Sequence, residues 1–278
     1  MNRIMQANFV RMAKNKLLWI AMLVTAGFGT MLVIGGYNDM QKYGDIYGDR
    51  SWDDILFSFL IIYGIIMAVF DSMYIGTEYS DGTIRNKLIV GRKRSSIYLA
   101  NLITSFTAGV LVYLAGIAAV CVVGIPLFGE PGMDVLTIVK LFVAGLLVCL
   151  SYASLYTMVG MLSSSKSQTA IINLLLAFIL FFMAMYIYQM LAQGPEIENA
   201  VMEINGEIAI KIEKNPNYLS GIKRDIYQFI FDLSPSGQGY LVSSHEMGEP
   251  WKYMGYSAGL SAVLSIFGLS FFCKKDIK

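Results

Sequence analysis

The sequence contains six stretches of about 20 or more predominantly apolar residues, separated by polar segments. The hydrocarbon core of a bilayer is about 30 Å thick, and a helix needs roughly 20 apolar residues to cross it. The pattern therefore predicts an all-α membrane fold with six transmembrane helices. The predicted spans are about Leu17–Gly36, Ile55–Ile75, Ile97–Ile125, Leu136–Leu162, Thr169–Leu191 and Tyr253–Cys273.

The composition agrees with a membrane protein and argues against a soluble one. Only 15% of the residues are charged and 56% are hydrophobic, whereas soluble domains are about 25% charged. We interpret residues 1–278 as a single transmembrane domain, with 192–252 as an insertion between the fifth and sixth spans. The apolar run from Leu17 shows no convincing small-residue cleavage site, so an uncleaved span is favoured over a signal peptide.

The distribution of Lys and Arg predicts the orientation of the chain. If both termini lie in the cytoplasm, the inner segments carry 13 of these residues. The two short outer loops then carry only Lys42, Arg50 and Lys140. Because cytoplasmic loops are enriched in Lys and Arg, the sequence predicts a multi-pass protein of the cell membrane with both termini inside.

Two segments outside the spans show their own patterns. Residues 2–16 place Met5, Phe9, Met12 and Ala13 on one helical face, which predicts an interfacial helix; a simple basic topology signal is the alternative. In the 192–252 insertion, Asn205-Gly206 lies between two β-prone runs and predicts a hairpin. An amphipathic helix is predicted around 226–233, so we expect a small extracellular α+β loop domain.

The polar segment from Gly76 to Arg94 joins the second and third spans. It is short, helix-compatible around 83–90 and attached to a membrane helix at each end. A force applied to such a segment would move two spans together, so we interpret it as a lever. The alternative is a basic loop that only fixes topology.

Within this segment, Glu78-Tyr79, Gly82-Thr83-Ile84-Arg85 and the basic cluster Gly91–Arg94 resemble the permease subunits of type-2 ABC exporters, particularly the small Gram-positive type. The likeness extends along most of the chain as topology, although only about 25 residues carry the pattern. Two stretches of the insertion, at 215–221 and 233–238, also resemble relatives with a large last extracellular loop.

The resemblance implies a function and a set of partners. Two permease chains would pair in the membrane, as a homodimer or a heterodimer, and each would dock a separate ATP-binding cassette subunit that holds ATP and Mg. The segment Tyr79–Val90 would form the cytoplasmic coupling helix. The positions implied in coupling to the ATPase are Glu78, Tyr79, Gly82, Thr83, Arg85 and Lys87.

Several absences in the sequence are consistent with a chain that is not itself an enzyme. It has no Gly-Lys dipeptide, so the phosphate-binding loop of an ATPase is missing. The three cysteines lie within or at the end of apolar runs, and His245 is the only histidine, so neither a disulfide framework nor a histidine-based metal cluster is expected. We expect no cofactor on this chain and no nucleic-acid partner; the surrounding partner is membrane lipid.

Polar residues within the spans are few. Asp71 and Asn173 are candidates for the transport pathway or for contacts between helices, and Asp71 also fits an interfacial anchor near the end of its span. Two other functions remain open on these observations. An ion-coupled secondary transporter would place ionisable residues or broken helices near the midplane, and a membrane sensor would use the extracellular loop.

Overall fold

The computed structural model describes residues 2–47, 51–202 and 208–276, and its helices confirm the predicted all-α membrane fold. Six helices are long and apolar enough to cross a membrane. They are α2 (Lys16–Tyr47), α3 (Leu60–Ser80), α5 (Arg94–Phe128), α6 (Val135–Leu162), α7 (Lys166–Ala192) and α10 (Pro250–Lys274). The shorter elements are α1 (Asn2–Ala13), α4 (Thr83–Ile89), β1 (Glu196–Met202), β2 (Ile208–Lys214), α8 (Ile222–Leu233) and α9 (Pro235–Ser244).

Three of the long helices have ends that differ from the ends of the predicted spans. Helix α2 continues beyond Gly36, and its backbone leaves helical geometry only at Tyr43, with φ −134°. The second span begins at Leu60 rather than Ile55, because the carboxylate of Asp54 accepts the N–H of Ser51 and fixes a 3-10 turn ahead of it. Pro126 does not stop α5, which ends where Gly129 adopts a φ of +84°.

Helix α1 forms as predicted, but it presents a different face. The residues that it buries are Ile4, Asn8 and Met12, which recur every fourth position and pack towards α5. Met5 and Phe9 are only half-buried and Ala13 is exposed. The predicted face is therefore rotated, because the polar Asn8 finds a hydrogen-bond partner inside the bundle.

Aromatic side chains that pack onto glycines hold the long helices together. The ring of Phe59 lies so close to Gly116 of α5 that a Cβ there would be 2.7 Å from the ring. A Cβ at Gly64 of α3 would likewise lie 2.5 Å from the ring of Tyr152. Close approach of this kind is how helices pack in a lipid environment, where small residues let neighbouring groups come near.

Serine hydroxyls supply a second kind of contact between the spans. The hydroxyl of Ser151 on α6 lies 3.2 Å from the carbonyl oxygen of Ser257 and 3.1 Å from the hydroxyl of Ser261, both on α10. These hydrogen bonds join α6 to α10.

The 192–252 insertion contains more structure than the sequence predicts. Strands β1 and β2 pair antiparallel, with Met202 opposite Ile208, while the predicted Asn205-Gly206 turn lies outside the described residues. Ile212 on β2 is 61% exposed. The predicted amphipathic helix forms as α8, and α9 follows it and packs back among α3, α6 and α7.

Candidate functional site at the α4 end of the bundle

Helix α4 connects the second and third spans and lies at one end of the bundle, which we call the α4 end. Glycines with positive φ bracket it, Gly82 at +65° and Gly91 at +79°. This region of backbone space is costly for other residues, so the glycines allow the chain to turn sharply into and out of a helix of only seven residues. One buried side chain, Ile84, anchors α4, whereas Ile89 and Val90 are 73% and 74% exposed at its tip.

The carboxylate of Glu78, near the end of α3, is the centre of the charge arrangement beside α4. Its side chain is fully buried. Its Oε1 lies 2.8 Å from Nη1 of Arg11 on α1 and 2.5 Å from Nζ of Lys87 on α4. Its Oε2 accepts a hydrogen bond of 2.9 Å from the amide of Asn101 on α5. One acidic side chain therefore joins four helices.

Asn8 closes this arrangement into a ring of hydrogen bonds. Its amide nitrogen donates to Oδ1 of Asn101 at 2.9 Å, and its Oδ1 accepts from Lys87 at 3.3 Å. The backbone carbonyl of Asn8 accepts from the hydroxyl of Tyr74, whose ring lies under the guanidinium of Arg11 at 3.9 Å. We call Asn8, Arg11, Glu78, Lys87 and Asn101 the Glu78 network.

A second set of contacts ties the C-terminal end of α10 to the same region. The ammonium of Lys275 donates to the carbonyl of Ser163 at 2.6 Å and to that of Met161 at 3.3 Å. These hydrogen bonds satisfy carbonyls that have no partner within the helix at the end of α6. It also lies over the ring of Tyr79, 4.5 Å from its centroid. The hydroxyl of Tyr79 donates to the carbonyl of Met161. Both α1 and the end of α10 therefore lie at the α4 end.

The residues predicted for coupling separate into two groups in the structure. Glu78, Tyr79 and Lys87 have partners within the bundle, and Glu78 presents no surface to a partner. Gly82 and Thr83 are half-buried at the start of α4, and Arg85 is exposed on its outer face. Their role in coupling stays a prediction.

The sequence reasoning did not find the partners of Glu78 and Tyr79. Asn8 and Arg11 lie on α1, Asn101 lies on α5, and Lys275 lies almost 200 positions after Tyr79. A weak signal was present: an asparagine within each of two apolar helical faces, at positions 8 and 101, is costly to bury without a partner.

Asp71 and Asn173, the two candidates for the transport pathway or for helix contacts, are buried in the bundle. Asp71 lies near the middle of α3 and is fully buried, with its Oδ1 accepting a hydrogen bond of 2.6 Å from Ser105 on α5. Asp71 thus contacts α5 inside the bundle, and its role in the transport pathway or as an interfacial anchor stays a prediction. Asn173 on α7 is also fully buried, and neither of its amide atoms has a partner among the described residues.

The fold and this site define a class of protein: a six-span membrane protein whose second and third spans are joined by a short helix. The tip of this helix is exposed, and its Lys87 is bonded to the buried Glu78. The comparison with family models then identifies the family. The model described as ABC-2 family transporter protein matches residues 4–184, and the chain belongs to this family. The match covers α1 to α6 and most of α7, and includes the whole Glu78 network. A comparison with curated proteins found no match.

Proposed function

We propose that this chain is the transmembrane subunit of an ATP-driven ABC exporter. A separate ATP-binding cassette subunit, which holds ATP and Mg, acts on it from the cytoplasm through α4. The observation that carries the proposal is the form of α4 itself. Its Ile89–Val90 tip is exposed, while its Lys87 is bonded to Glu78 of α3 and Asn8 of α1, and through Glu78 to α5. An exposed apolar pair on an otherwise polar turn is suited to docking on another protein.

The geometry supports a simple path for the movement. A push on the tip of α4 turns the helix about Gly82 and Gly91, where the backbone leaves helical geometry. Lys87 and Ile84 then carry the displacement inward, Lys87 through its ion pair with Glu78 and Ile84 through packing. Since Glu78 also holds α1 and α5, these helices and α3 move as a unit.

We place the cargo pathway on the face formed by α3 and α7. A cavity of about 380 Å³ opens there between these helices and α9, and Phe181, Met185 and Tyr240 are among its lining residues. Gln189 and Ser236 add polar groups to a mostly apolar wall. A second permease chain facing this surface would enclose the cavity, and pairing of this kind is part of the proposal.

Site-specific photo-cross-linking tests the docking proposal. A photoreactive amino acid at Ile89 of the full chain, in cells that also express the proposed ATP-binding subunit, is expected to cross-link to that subunit. The control position is Ile212, which is 61% exposed in the insertion. Cross-linking of the ATP-binding subunit at Ile212 and not at Ile89 would contradict the proposal and the predicted orientation.

One observation favours a second candidate, an ion-coupled transporter. Asp71 is fully buried within a span, and its Oδ2 has no partner among the described residues. Ionisable residues in this position often belong to ion pathways. Uptake or release of cargo by the purified chain alone, driven by an imposed proton gradient and lost in Asp71→Asn, would support this candidate over the first.

A further inference from the structure

Helix α8 is amphipathic, but it turns its apolar side outward. Ile222, Ile226, Phe229 and Ile230 recur at helical spacing and are 77%, 51%, 54% and 39% exposed. An amphipathic helix on the surface of a water-soluble domain faces the core with its apolar side instead. The outward side of α8 is therefore suited to an apolar environment rather than to water.

The polar side chains of α8 point towards the bundle and have partners there. Arg224 donates to the carbonyl oxygen of Leu191, near the end of α7, at 3.0 Å. Asp232 is 1% exposed, and its carboxylate lies 2.9 Å from the ammonium of Lys252 on α10. The same carboxylate accepts a hydrogen bond of 2.7 Å from the amide of Gln228. These bonds fix the rotation of α8 about its axis and hold its apolar side outward.

Aromatic residues mark the level of α8 along the spans. Tyr186 on α7 lies six residues before the end of its helix, and Tyr256 on α10 lies six residues after the start of its helix. At 1.5 Å per residue, both are about 9 Å from these ends. Phe229 of α8 packs edge-to-face on Tyr256, with ring centroids 6.2 Å apart, and Trp251 is 72% exposed nearby on α10. Because Trp and Tyr are enriched where the membrane meets water, these rings indicate that α8 lies at the boundary between headgroups and hydrocarbon.

An apolar groove lies next to α8, between α7 and α10 and over α6, with a volume of about 300 Å³. We call it the α8 groove. Apolar residues of α8 close one end of it, and its walls include Leu180 of α7 and Leu264 of α10. No charged residue lines it, and its wall residues on the three spans are half-buried, so an occupant can reach them. It is separate from the cavity on the α3 and α7 face, because no residue lines both.

The α8 groove has the length of an acyl chain within one leaflet. On α7 it extends from Leu176 to Met183, seven residues or about 10 Å. Leu176 lies ten residues deeper than Tyr186, a distance of about 15 Å that corresponds to half of the hydrocarbon core. Beside the groove, Ile179 and Val263 are 59% and 64% exposed on the spans. The groove is thus continuous with the lipid-facing surface of α7 and α10, so its surroundings supply hydrocarbon as the occupant.

We propose that α8 and the α8 groove bind a phospholipid of the leaflet at this end of the bundle, which is the outer leaflet in the predicted orientation. One acyl chain lies in the groove between Leu180 and Leu264, and the apolar side of α8 is embedded beside it. Lys223 and Asp225 are exposed at the two edges of that side, where they reach the headgroups. Binding requires only this chain, so its failure would leave the proposal about the ATP-binding subunit untouched.

Fluorescence quenching tests the position of α8. The full chain, with the fluorescent amino acid acridonylalanine in place of Ile226, is reconstituted in phosphatidylcholine nanodiscs. Phosphatidylcholine that carries a nitroxide near the headgroup end of its acyl chain is expected to quench about half of the fluorescence or more, because the label lies at the depth of an interfacial helix. Iodide in the water is expected to quench weakly, since an anion does not enter hydrocarbon.

The matched control carries the same amino acid in place of Ile212, which is 61% exposed on β2 of the same insertion. Iodide is expected to quench it about fivefold more strongly than at position 226. Ile222, 77% exposed on the same side of α8, is a second labelling position with the same expected result as Ile226. Strong iodide quenching at 226 and 222 would place α8 in water. Protection from both quenchers would mean that protein, such as a second copy of this chain, covers it, and either result would overturn the proposal.

Native mass spectrometry tests the groove. The full chain, purified in a mild detergent without added lipid, is expected to retain one phospholipid. Leu180→Trp fills the groove and is expected to lower the retained fraction about fivefold or more. Ile179→Trp is the matched control, because Ile179 is the next residue on α7 and lies outside the groove.

Leu264→Trp and Val263→Trp repeat the comparison on α10, so a folding defect in one variant does not decide the result. Retention in I179W and V263W with loss in L180W and L264W supports the site. A wild-type chain without phospholipid, or wild-type retention in both L180W and L264W, would overturn it.

Discussion

Replacement of Glu78 by glutamine is the most direct test of the Glu78 network. Glutamine keeps the size of the side chain but removes the charge that Arg11 and Lys87 share at Oε1. Its amide nitrogen would also face a donor at either Oε position, since both carboxylate oxygens accept hydrogen bonds. The variant therefore leaves two cations without their counter-charge in a buried region.

The structure sets the size of the effect. Removing one partner of a fully buried pair costs about 3–5 kcal/mol. Arg11 and Lys87 are 33% and 15% exposed at their side chains, so part of their charge can turn to solvent. We therefore expect Glu78→Gln to lower the free energy of unfolding by about 2–3 kcal/mol, below the range for a fully buried pair.

A double-mutant cycle identifies the origin of the loss. Lys87→Met alone is expected to cost about 1 kcal/mol, because Arg11 still neutralises Glu78. The double variant E78Q/K87M is expected to lose about 1 kcal/mol less free energy of unfolding than the two single variants lose together. The effects of charged residues in contact are not additive. Reversible unfolding of the purified chain in dodecyl maltoside with increasing SDS measures all four proteins.

The control is Asp81→Asn, three residues beyond Glu78. Its carboxylate is exposed and, among the described residues, accepts a hydrogen bond only from the hydroxyl of the neighbouring Ser80, at 3.3 Å. Its free energy of unfolding is expected to stay within about 0.5 kcal/mol of the wild type. The reasoning fails if E78Q is as stable as this control, or if the effects of E78Q and K87M add within about 0.5 kcal/mol.

Three further predictions follow from single positions. Arg85→Ala is expected to leave the free energy of unfolding within about 0.5 kcal/mol of the wild type, because Arg85 is exposed and no described residue bonds to it. It is expected to reduce the extent to which this chain stimulates the ATPase activity of the ATP-binding subunit, and unchanged stimulation would count against α4 as the docking helix. Gly116→Ala is expected to destabilise by about 1–3 kcal/mol, since its Cβ would meet the buried ring of Phe59, whereas Gly255→Ala, with open space around it, is expected to cost nothing in the same unfolding assay. Burial alone would raise the pKa of Asp53, but hydrogen bonds from Ser51 and from the N–H groups of Gly132 and Met133 outweigh it and hold the pKa below 3.8. As the pH falls, the unfolded chain therefore binds a proton at Asp53 before the folded chain does. The difference in free energy of unfolding between wild type and Asp53→Asn, about 1–3 kcal/mol, should be constant above about pH 5 and shrink below about pH 4. A difference that grows in acid would contradict this assignment.

The apolar windows of the sequence were sufficient to predict the number and approximate positions of the spans, because the bilayer imposes a length and a composition on each helix. The ends of the spans were less accurate. Lys42 was interpreted as a loop residue, yet α2 continues past Gly36 to Tyr47. Hydropathy measures the membrane requirement of a residue and says nothing of whether the helix continues beyond the membrane.

The candidate site was predictable only in part, for a different reason. The pattern around Glu78 and Arg85 identified the segment, and α4 forms within it. The role of Glu78 depends on Asn8 and Asn101, which lie 70 and 23 positions away along the chain. Long-range partners of this kind follow from helix packing, and no local pattern encodes them.

The family match includes the α4 end of the bundle but not the insertion that contains α9. The match ends at residue 184 and contains the whole Glu78 network, so the α4 end follows the pattern of the ABC-2 family. The insertion lies beyond the match, yet α9 packs among α3, α6 and α7, and Tyr152 of α6 bonds to Ser236 of α9 at 2.7 Å. Since α9 packs directly on α3, we expect movement of α3 at the α4 end to displace α9 at the other end.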